Sequence, residues 1–301
     1  MPEAGFDLET VQISGFDRDA PWKNVVLPLL VPVSVVEALR ILDRFRPDVV
    51  LGMGGYVMAP AVAAARLRRI PYVLHEKDVR PGLATRVFAG GAAAICVTLP
   101  GTEKRLRGRR AVLTGVPLRA GFTQRTPAVP PRRLLVTGGS QGARNLNQAV
   151  WSAMDQLCAR FEEVIHVAGE QGESGLAEHR RAGYTGMTFA EDMPSLMARA
   201  DLVVGRAGIG TIAEAAAVGL PMVLVPGTFG GAHQEENAAA MVDVGAAVRI
   251  SDADLDATSL VATLDTLDEA KVRAMAQASA AAGRRDAARR VLAVLREVAG
   301  R

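Results

Sequence analysis

Three glycine-rich strings in the second half of the chain combine residue types and spacing able to handle a phosphorylated ligand. Gly138-Gly139-Ser140-Gln141-Gly142-Ala143 follows an apolar run at 134–137 and precedes a helical pattern that starts near Arg144. Glycines at a strand-to-helix turn let backbone N–H groups close on a phosphate, and the helix N-terminus adds roughly half a positive charge. No GK[ST] follows and the spacing is not GxGxxG, so the string is neither a Walker A loop nor a dinucleotide fingerprint. It is either a diphosphate cradle or a tight βα turn. The second string, Gly205-Arg206-Ala207-Gly208-Ile209-Gly210-Thr211-Ile212-Ala213-Glu214, opens another helix at a strand end. Glu214 either accepts hydrogen bonds from a ribose diol, each worth about 1.5–3 kcal/mol because the acceptor is charged, or complements the helix N-terminus. The third string runs from Pro226 to Asn237, where Gln234 and Asn237 lie one helical turn apart and suit a polyhydroxylated ligand or a solvated helix face. His233 reads as a structural donor.

In the first half, Gly52-Met53-Gly54-Gly55-Tyr56 follows one strand pattern and His75-Glu76-Lys77-Asp78 the next. His75 and Glu76 are either acid–base groups or hydrogen-bonded residues closing a strand.

Positioning these strings requires a scaffold that ends many strands at one edge. Short β-branched runs alternate with alanine- and leucine-rich stretches, the pattern of βαβ units around a parallel sheet. Strands are expected at 10–13, 49–53, 72–75, 94–98 and 111–114, then at 134–137, 164–167, 187–189, 202–204, 222–225 and 247–250. The proline-rich stretch TQRTPAVPPRR at 123–133 reads as an extended linker. The organisation expected is a first domain at 1–122, that linker, and a second domain at 134–301. The last helical stretch, 269–300, breaks near Gly283 and is expected to pack back across the junction. Both domains read as α/β and doubly wound, facing a cleft, with ligands beyond the carboxyl ends of the strands.

Composition excludes several classes. The 301 residues are 49% hydrophobic and 22% charged, so disordered and collagen-like chains are out. Cys96 and Cys158 match no metal or disulfide pattern and suit a reducing compartment. The longest apolar run, 25–36, is interrupted by Pro28 and Pro32 and falls short of the ~20 residues that cross a bilayer. No signal peptide is readable, and a cytoplasmic location is expected. The net charge is +3, but residues 104–133 hold nine basic side chains and no acidic one. That stripe faces either an anionic partner or plain solvent. No aromatic interleaving accompanies it, so nucleic acid is not expected.

The strings RPDVVLGMGGYVMAPAV, IPYVLHEKDVRPGLATR, LTGVPLR, LLVTGGSQGARNLN, DMPSLMARADLVVGRAGIGTIAEAAAVGLPMVLVP and HQEENAAAMVDVGAA, in this order, resemble the MurG family. The resemblance extends from about Gly5 to the C-terminus. It implies a GT-B fold and an inverting transfer of N-acetylglucosamine from UDP-GlcNAc to the undecaprenyl-linked acceptor lipid I, giving lipid II for peptidoglycan. It further implies that Arg119 lies by the donor diphosphate. Ser140, with Gln141 and Gly142, would bind phosphate, as would Thr211 in the Gly208-Ile209-Gly210 turn. The backbone at Phe189–Ala190 would read the uracil, Glu214 would hold the ribose, and Gln234 with Asn237 would contact the sugar. Gly54, Gly55, Tyr56, His75 and Glu76 would serve the acceptor side. No cofactor or metal is implied, and no Asp-x-Asp motif stands beside the glycine-rich loops.

Three departures accompany the resemblance. The family's HEQN is HEKD here, the acidic residue of its DHQxxNA is Ala232, and its opening strand with a GGTGGH loop is not read upstream of GFDLETVQISGF. An N-terminal domain lacking that strand is expected to expose an unpaired strand edge and apolar surface. Either the start is assigned late, or a partner chain supplies the segment, or the chain is a silent donor binder. A related transferase with another acceptor is the alternative activity. The lipid-linked acceptor implies peripheral contact with the cytoplasmic face of the inner membrane. The stretch at 22–42 is either a monotopic patch for it or domain core.

Overall fold

A computed structural model describes residues 5–13, 27–106, 110–227 and 233–300. The chain divides into two compact units, the first comprising residues 1–98, 102–114 and 289–301 and the second 99–101 and 115–288.

In the first unit, β1 (Val50–Gly52), β2 (Tyr72–Glu76), β3 (Ala94–Val97) and β4 (Ala111–Leu113) form a parallel sheet in the order β1-β2-β3-β4. β2 and β3 are buried along their whole length, as parallel strands covered on both faces must be. Helices α1 (Leu27–Phe45) and α2 (Met58–Leu67) pack together through Ala38, Leu42, Ala64 and Ala65. α3 (Leu83–Phe88) and the single turn α4 (Thr102–Arg105) complete the unit's N-terminal part. Among the described residues β1 is an edge strand, and Val31, Val33 and Val36 of α1 and Leu83 and Val87 of α3 are exposed.

The second unit holds β5 (Arg133–Thr137), β6 (Glu163–Val167), β7 (Tyr184–Met187), β8 (Leu202–Arg206), β9 (Met222–Val225) and β10 (Ala247–Arg249). All run parallel in the order β10-β9-β8-β5-β6-β7, so winding reverses between β5 and β8. The helices are α5 (Arg144–Ser152), α6 (Met154–Arg160), α7 (Glu173–Glu178), α8 (Met193–Arg199), α9 (Ile209–Val218), α10 (His233–Asp243), α11 (Ala257–Asp265) and α12 (Glu269–Ala282). The core lies between the sheet and its helices, with Leu134, Val136, Leu146, Val150, Val204 and Val223 wholly buried. α12 stops at Gly283, where a Cβ would fall 2.2 Å from the Ala216 carbonyl oxygen. α13 (Ala287–Ala299) follows, and its Val291, Val294 and Val298 recur at helical spacing and pack with Val73, Ala94 and Cys96 of the first unit.

Several expectations change. Residues 10–13 form no strand: Gln12 N–H donates to Glu37 of α1, and Val11 packs with Ala38 and Leu42. The strand expected at 187–189 lies earlier, because its ladder to β6 starts at Val164 opposite Tyr184. The unit boundary falls at 114/115 rather than 122/123. The proline-rich stretch is not a free linker either. Asp201, 1% exposed, accepts hydrogen bonds from the Arg125 guanidinium and from the backbone N–H groups of Ala128, Arg132 and Arg133, which fasten that stretch to the start of β8.

Removing a buried acceptor of this kind orphans every donor at once. Asp201→Ala is expected to lower unfolding stability by about 3 kcal/mol. Arg132→Ala, which breaks only the exposed pair with Glu162, should cost less than about 1 kcal/mol. Urea unfolding of both variants checks the contrast.

Candidate functional site

The reversal between β5 and β8 places the first two glycine-rich turns side by side, since Thr137 at the end of β5 sits opposite Gly205 of β8. Open α/β sheets bind ligands at such a point. The turn after β5 folds back tightly: Gly142 N–H donates to the Gly139 carbonyl at 3.1 Å, and a Cβ on Gly138 would fall 2.6 Å from Ala143 N. Ser140 and Gln141 stand exposed at its tip. The first N–H groups of any α-helix lack intrahelical partners. Here α5 is entered through Ala143 and α9 through Gly208, and neither entry residue supplies a side-chain cap. A Cβ built on Gly208 or Gly210 meets nothing within 4 Å, so open space fronts α9. Two such N-termini, side by side, can accommodate an anion.

Electrostatics sharpen this reading. Glu214, one turn into α9, is half-buried, and among the described residues no hydrogen bond reaches its carboxylate. Burial pushes its pKa up, opposed by the Arg119 guanidinium. Asp192, which caps α8 through Ser195, is held below the usual carboxylate range by those hydrogen bonds and by Arg119. Arg119 therefore acts on carboxylates from two helices of the same unit. Phe189, 62% exposed, and buried Ala190 lie just past the end of β7.

The amides of α10 face inward. Gln234 Oε1 accepts from Gly227 N–H at 2.8 Å, which steadies the turn after β9. Asn237 is wholly buried, with its amide N–H 3.4 Å from the Ala207 carbonyl in the β8 turn. Each amide thus braces a loop, Gln234 with its oxygen and Asn237 with its N–H. Ala232 lies outside the described residues.

In the first unit, Gly54 and Gly55 take positive φ after β1, and Tyr56 is half exposed beside them. His75 is wholly buried in β2. Glu76 accepts from Asp78 N–H at 3.2 Å and from Gly82 N–H at 3.0 Å, so each oxygen braces the loop that leads into α3. The Glu76 carboxylate is thus engaged by backbone donors and the His75 imidazole is buried. Four members of the basic stripe are paired with carboxylates. Arg110 meets Glu297, Arg125 meets Asp201, Arg132 meets Glu162 and Arg133 meets Glu163, while Arg107 and Arg109 lie outside the described residues.

Two features had no sequence signal. Arg206 at the end of β8 pairs with Asp252 after β10 at 2.6 Å, both largely buried, which holds the β8 turn from behind. His166 in β6 is wholly buried against Asn147 of α5, and burial pushes its pKa down to about 4. Partners this far apart in the chain leave no local pattern. The described residues contain no group of three His, Cys, Asp or Glu placed to hold a metal.

Residues 133–291 match the glycosyltransferase family 28 C-terminal domain, and residues 1–97 match the glycosyltransferase family 28 N-terminal domain. The chain is similar to the UDP-N-acetylglucosamine--N-acetylmuramyl-(pentapeptide) pyrophosphoryl-undecaprenol N-acetylglucosamine transferase of Nocardioides sp., with 39% identity covering 99% of this chain and 86% of the relative. The enzyme of that name from Paenarthrobacter aurescens is 37% identical over 97% of this chain and 82% of its own length. Among solved structures, Acinetobacter baumannii MurG superposes with a TM-score of 0.82 at 26% identity, covering 98% of this chain and 86% of that one.

The depressed pKa of His166 sets a pH signature. Its folded value of about 4 lies below the ordinary 6.5, so between those values the unfolded chain binds a proton that the folded chain does not. Stability contributed by the neutral imidazole is complete above pH 6.5 and is lost as pH falls toward 4, by up to about 3 kcal/mol. Unfolding curves of the wild type and His166→Gln across that range are expected to differ by this slope; parallel curves would contradict the assignment.

Proposed function

The chain belongs to glycosyltransferase family 28, and we propose that it transfers N-acetylglucosamine from UDP-N-acetylglucosamine to the undecaprenyl-diphosphate-linked N-acetylmuramyl-pentapeptide acceptor. The observation that carries this reading is the pair of uncapped helix N-termini in the same unit as a half-buried carboxylate, Glu214, that has Arg119 as a charged neighbour but takes no hydrogen bond from the described residues. The donor diphosphate lies across the turns after β5 and β8, taking N–H groups from α5 and α9 and the hydroxyls of Ser140 and Thr211. Arg119 neutralises the same charge. Glu214 accepts hydrogen bonds from the ribose diol, which relieves the desolvation that raises its pKa. The backbone at Phe189–Ala190 pairs with the uracil edge. Gln234 and Asn237 set the turns against which the transferred sugar rests.

The acceptor 4-hydroxyl oxygen attacks the anomeric carbon as the bond to the diphosphate oxygen breaks, so UDP leaves from the opposite face and the configuration inverts. Charge growing on UDP meets fixed N–H dipoles and Arg119, groups already oriented before the reaction begins. Gly54, Gly55 and Tyr56, on the loop after β1, present the acceptor in the first unit, where β1 pairs with β2 and Glu76 braces the loop after β2.

No helix of the described residues is long and apolar enough to cross a membrane. The lipid-linked acceptor places the enzyme peripherally on the cytoplasmic membrane face, where exposed Val31, Val33, Val36, Leu83 and Val87 offer apolar contact beside Arg86. Trp22, at the start of the stretch expected to touch lipid, lies outside the described residues.

Turnover of labelled UDP-N-acetylglucosamine with lipid I tests the reading, and no transfer would overturn it. Glu214→Ala is expected to raise the UDP dissociation constant at least about tenfold in a calorimetric titration. With leaving-group charge met by protein groups, turnover should be unaffected by excess chelator; loss of activity that magnesium restores would refute that part.

A further inference from the structure

We infer that His166 is a positioning residue for the diphosphate cradle, acting through a one-way chain of hydrogen bonds that ends on the Ala168 carbonyl. The inference rests on the reading of the β5 turn as the diphosphate site. Trp151 Nε1, which can only donate, reaches Tyr184 Oη at 3.1 Å. The Tyr184 hydroxyl then donates to His166 Nδ1 at 3.0 Å. A neutral imidazole that accepts at Nδ1 carries its proton on Nε2, and that N–H donates to Asn147 Oδ1 at 3.0 Å. The Asn147 amide N–H donates in turn to the Ala168 carbonyl at 2.9 Å. The Ala168 carbonyl, which can only accept, sets the direction: it takes the Asn147 N–H, so Asn147 Oδ1 must accept from His166 Nε2 and Nδ1 is left to accept from Tyr184, and His166 and Asn147 are sealed from solvent.

What the chain ends on makes it more than core packing. Ala168 and Gly169 form the turn after β6, which is the back wall of the cradle. A Cβ on Gly142 would fall 2.3 Å from Ala168 O, and one on Gly169 would fall 2.1 Å from Gly142 N. Backbone lies on backbone there, with no side chain to absorb a shift, and Gln171 N–H reaches the Gln141 carbonyl at 3.4 Å. Asn147 belongs to α5, the helix whose N-terminus fronts the phosphate. One amide thus ties helix and back wall together. A displaced Ala168 carbonyl would move Gly142 and misdirect the N–H groups of the turn while leaving the ribose and base contacts in place.

Titrating the full-length chain with UDP and with uridine separates these effects. His166→Leu is expected to weaken UDP about tenfold and uridine less than about twofold, and to raise KM for the nucleotide sugar but not for the lipid acceptor. His166→Gln, which keeps a donor toward Asn147, should stay within about threefold of wild type for UDP. Equal losses for both ligands, or none, would overturn the inference. If His166→Leu does not fold, Tyr184→Phe serves in its place, with an expected UDP loss of at least about threefold and uridine unchanged. Glu214→Ala reports on the parent reading, since it should weaken both ligands. Wild-type UDP binding that ignores Glu214 would sink that reading, whereas Glu214-dependent binding with intact affinity in His166→Leu would sink only the positioning role.

Discussion

Backbone N–H groups without intrahelical partners, held side by side where β5 and β8 meet, are the constraint on which the second unit depends. An α-helix cannot satisfy its own first donors, and a chain with no use for them covers them with a serine, threonine or aspartate. This chain does so at α8, α11 and α12, where Asp192, Asp256 and Asp268 accept from the first turn. At α5 and α9 it presents Ala143 and Gly208 instead. α6 and α7 of the same unit also lack side-chain caps, so what marks α5 and α9 is their place at the β5/β8 reversal, with open space before α9.

Carboxylates divide the same way. Asp201 gathers donors from a whole segment, Glu76 takes two backbone N–H groups, and Asp252 faces Arg206 across a largely buried pair. Each of these buried anions is answered inside the protein, as desolvation demands. Glu214 stands apart, half-buried and raised in pKa, with Arg119 as its charged neighbour. In the proposed function a ribose diol supplies the hydrogen bonds that the protein withholds. The supporting shell lies behind: Arg206 steadies the β8 turn, Gln234 the β9 turn, and the buried network around His166 the β5 turn.

Legibility varied with the range of the interaction. Strands at 72–75, 94–98 and 222–225 were readable because parallel strands buried on both faces are continuous apolar runs. The run at 10–13, Thr-Val-Gln-Ile, joins no ladder, and a helix side chain takes the Gln12 N–H. Asn237 and Gln234 showed the right spacing, but spacing fixes only which face they share; burial decides whether that face meets solvent or a loop. The proline-rich stretch looked free because Asp201, its anchor, lies far along the chain.

By itself the sequence determined the local conformations: where strands stop, which turns need glycine, where helices begin, and so which residues stand at strand ends. These depend on neighbours within a turn or two. The tertiary structure alone decided that the turn after β5 lies beside the turn after β8, that Arg119 reaches Glu214, and that Ala168 supports Gly142. Those adjacencies follow from the order in which strands join the sheet, a cooperative outcome of packing the whole unit that no short window of residues encodes.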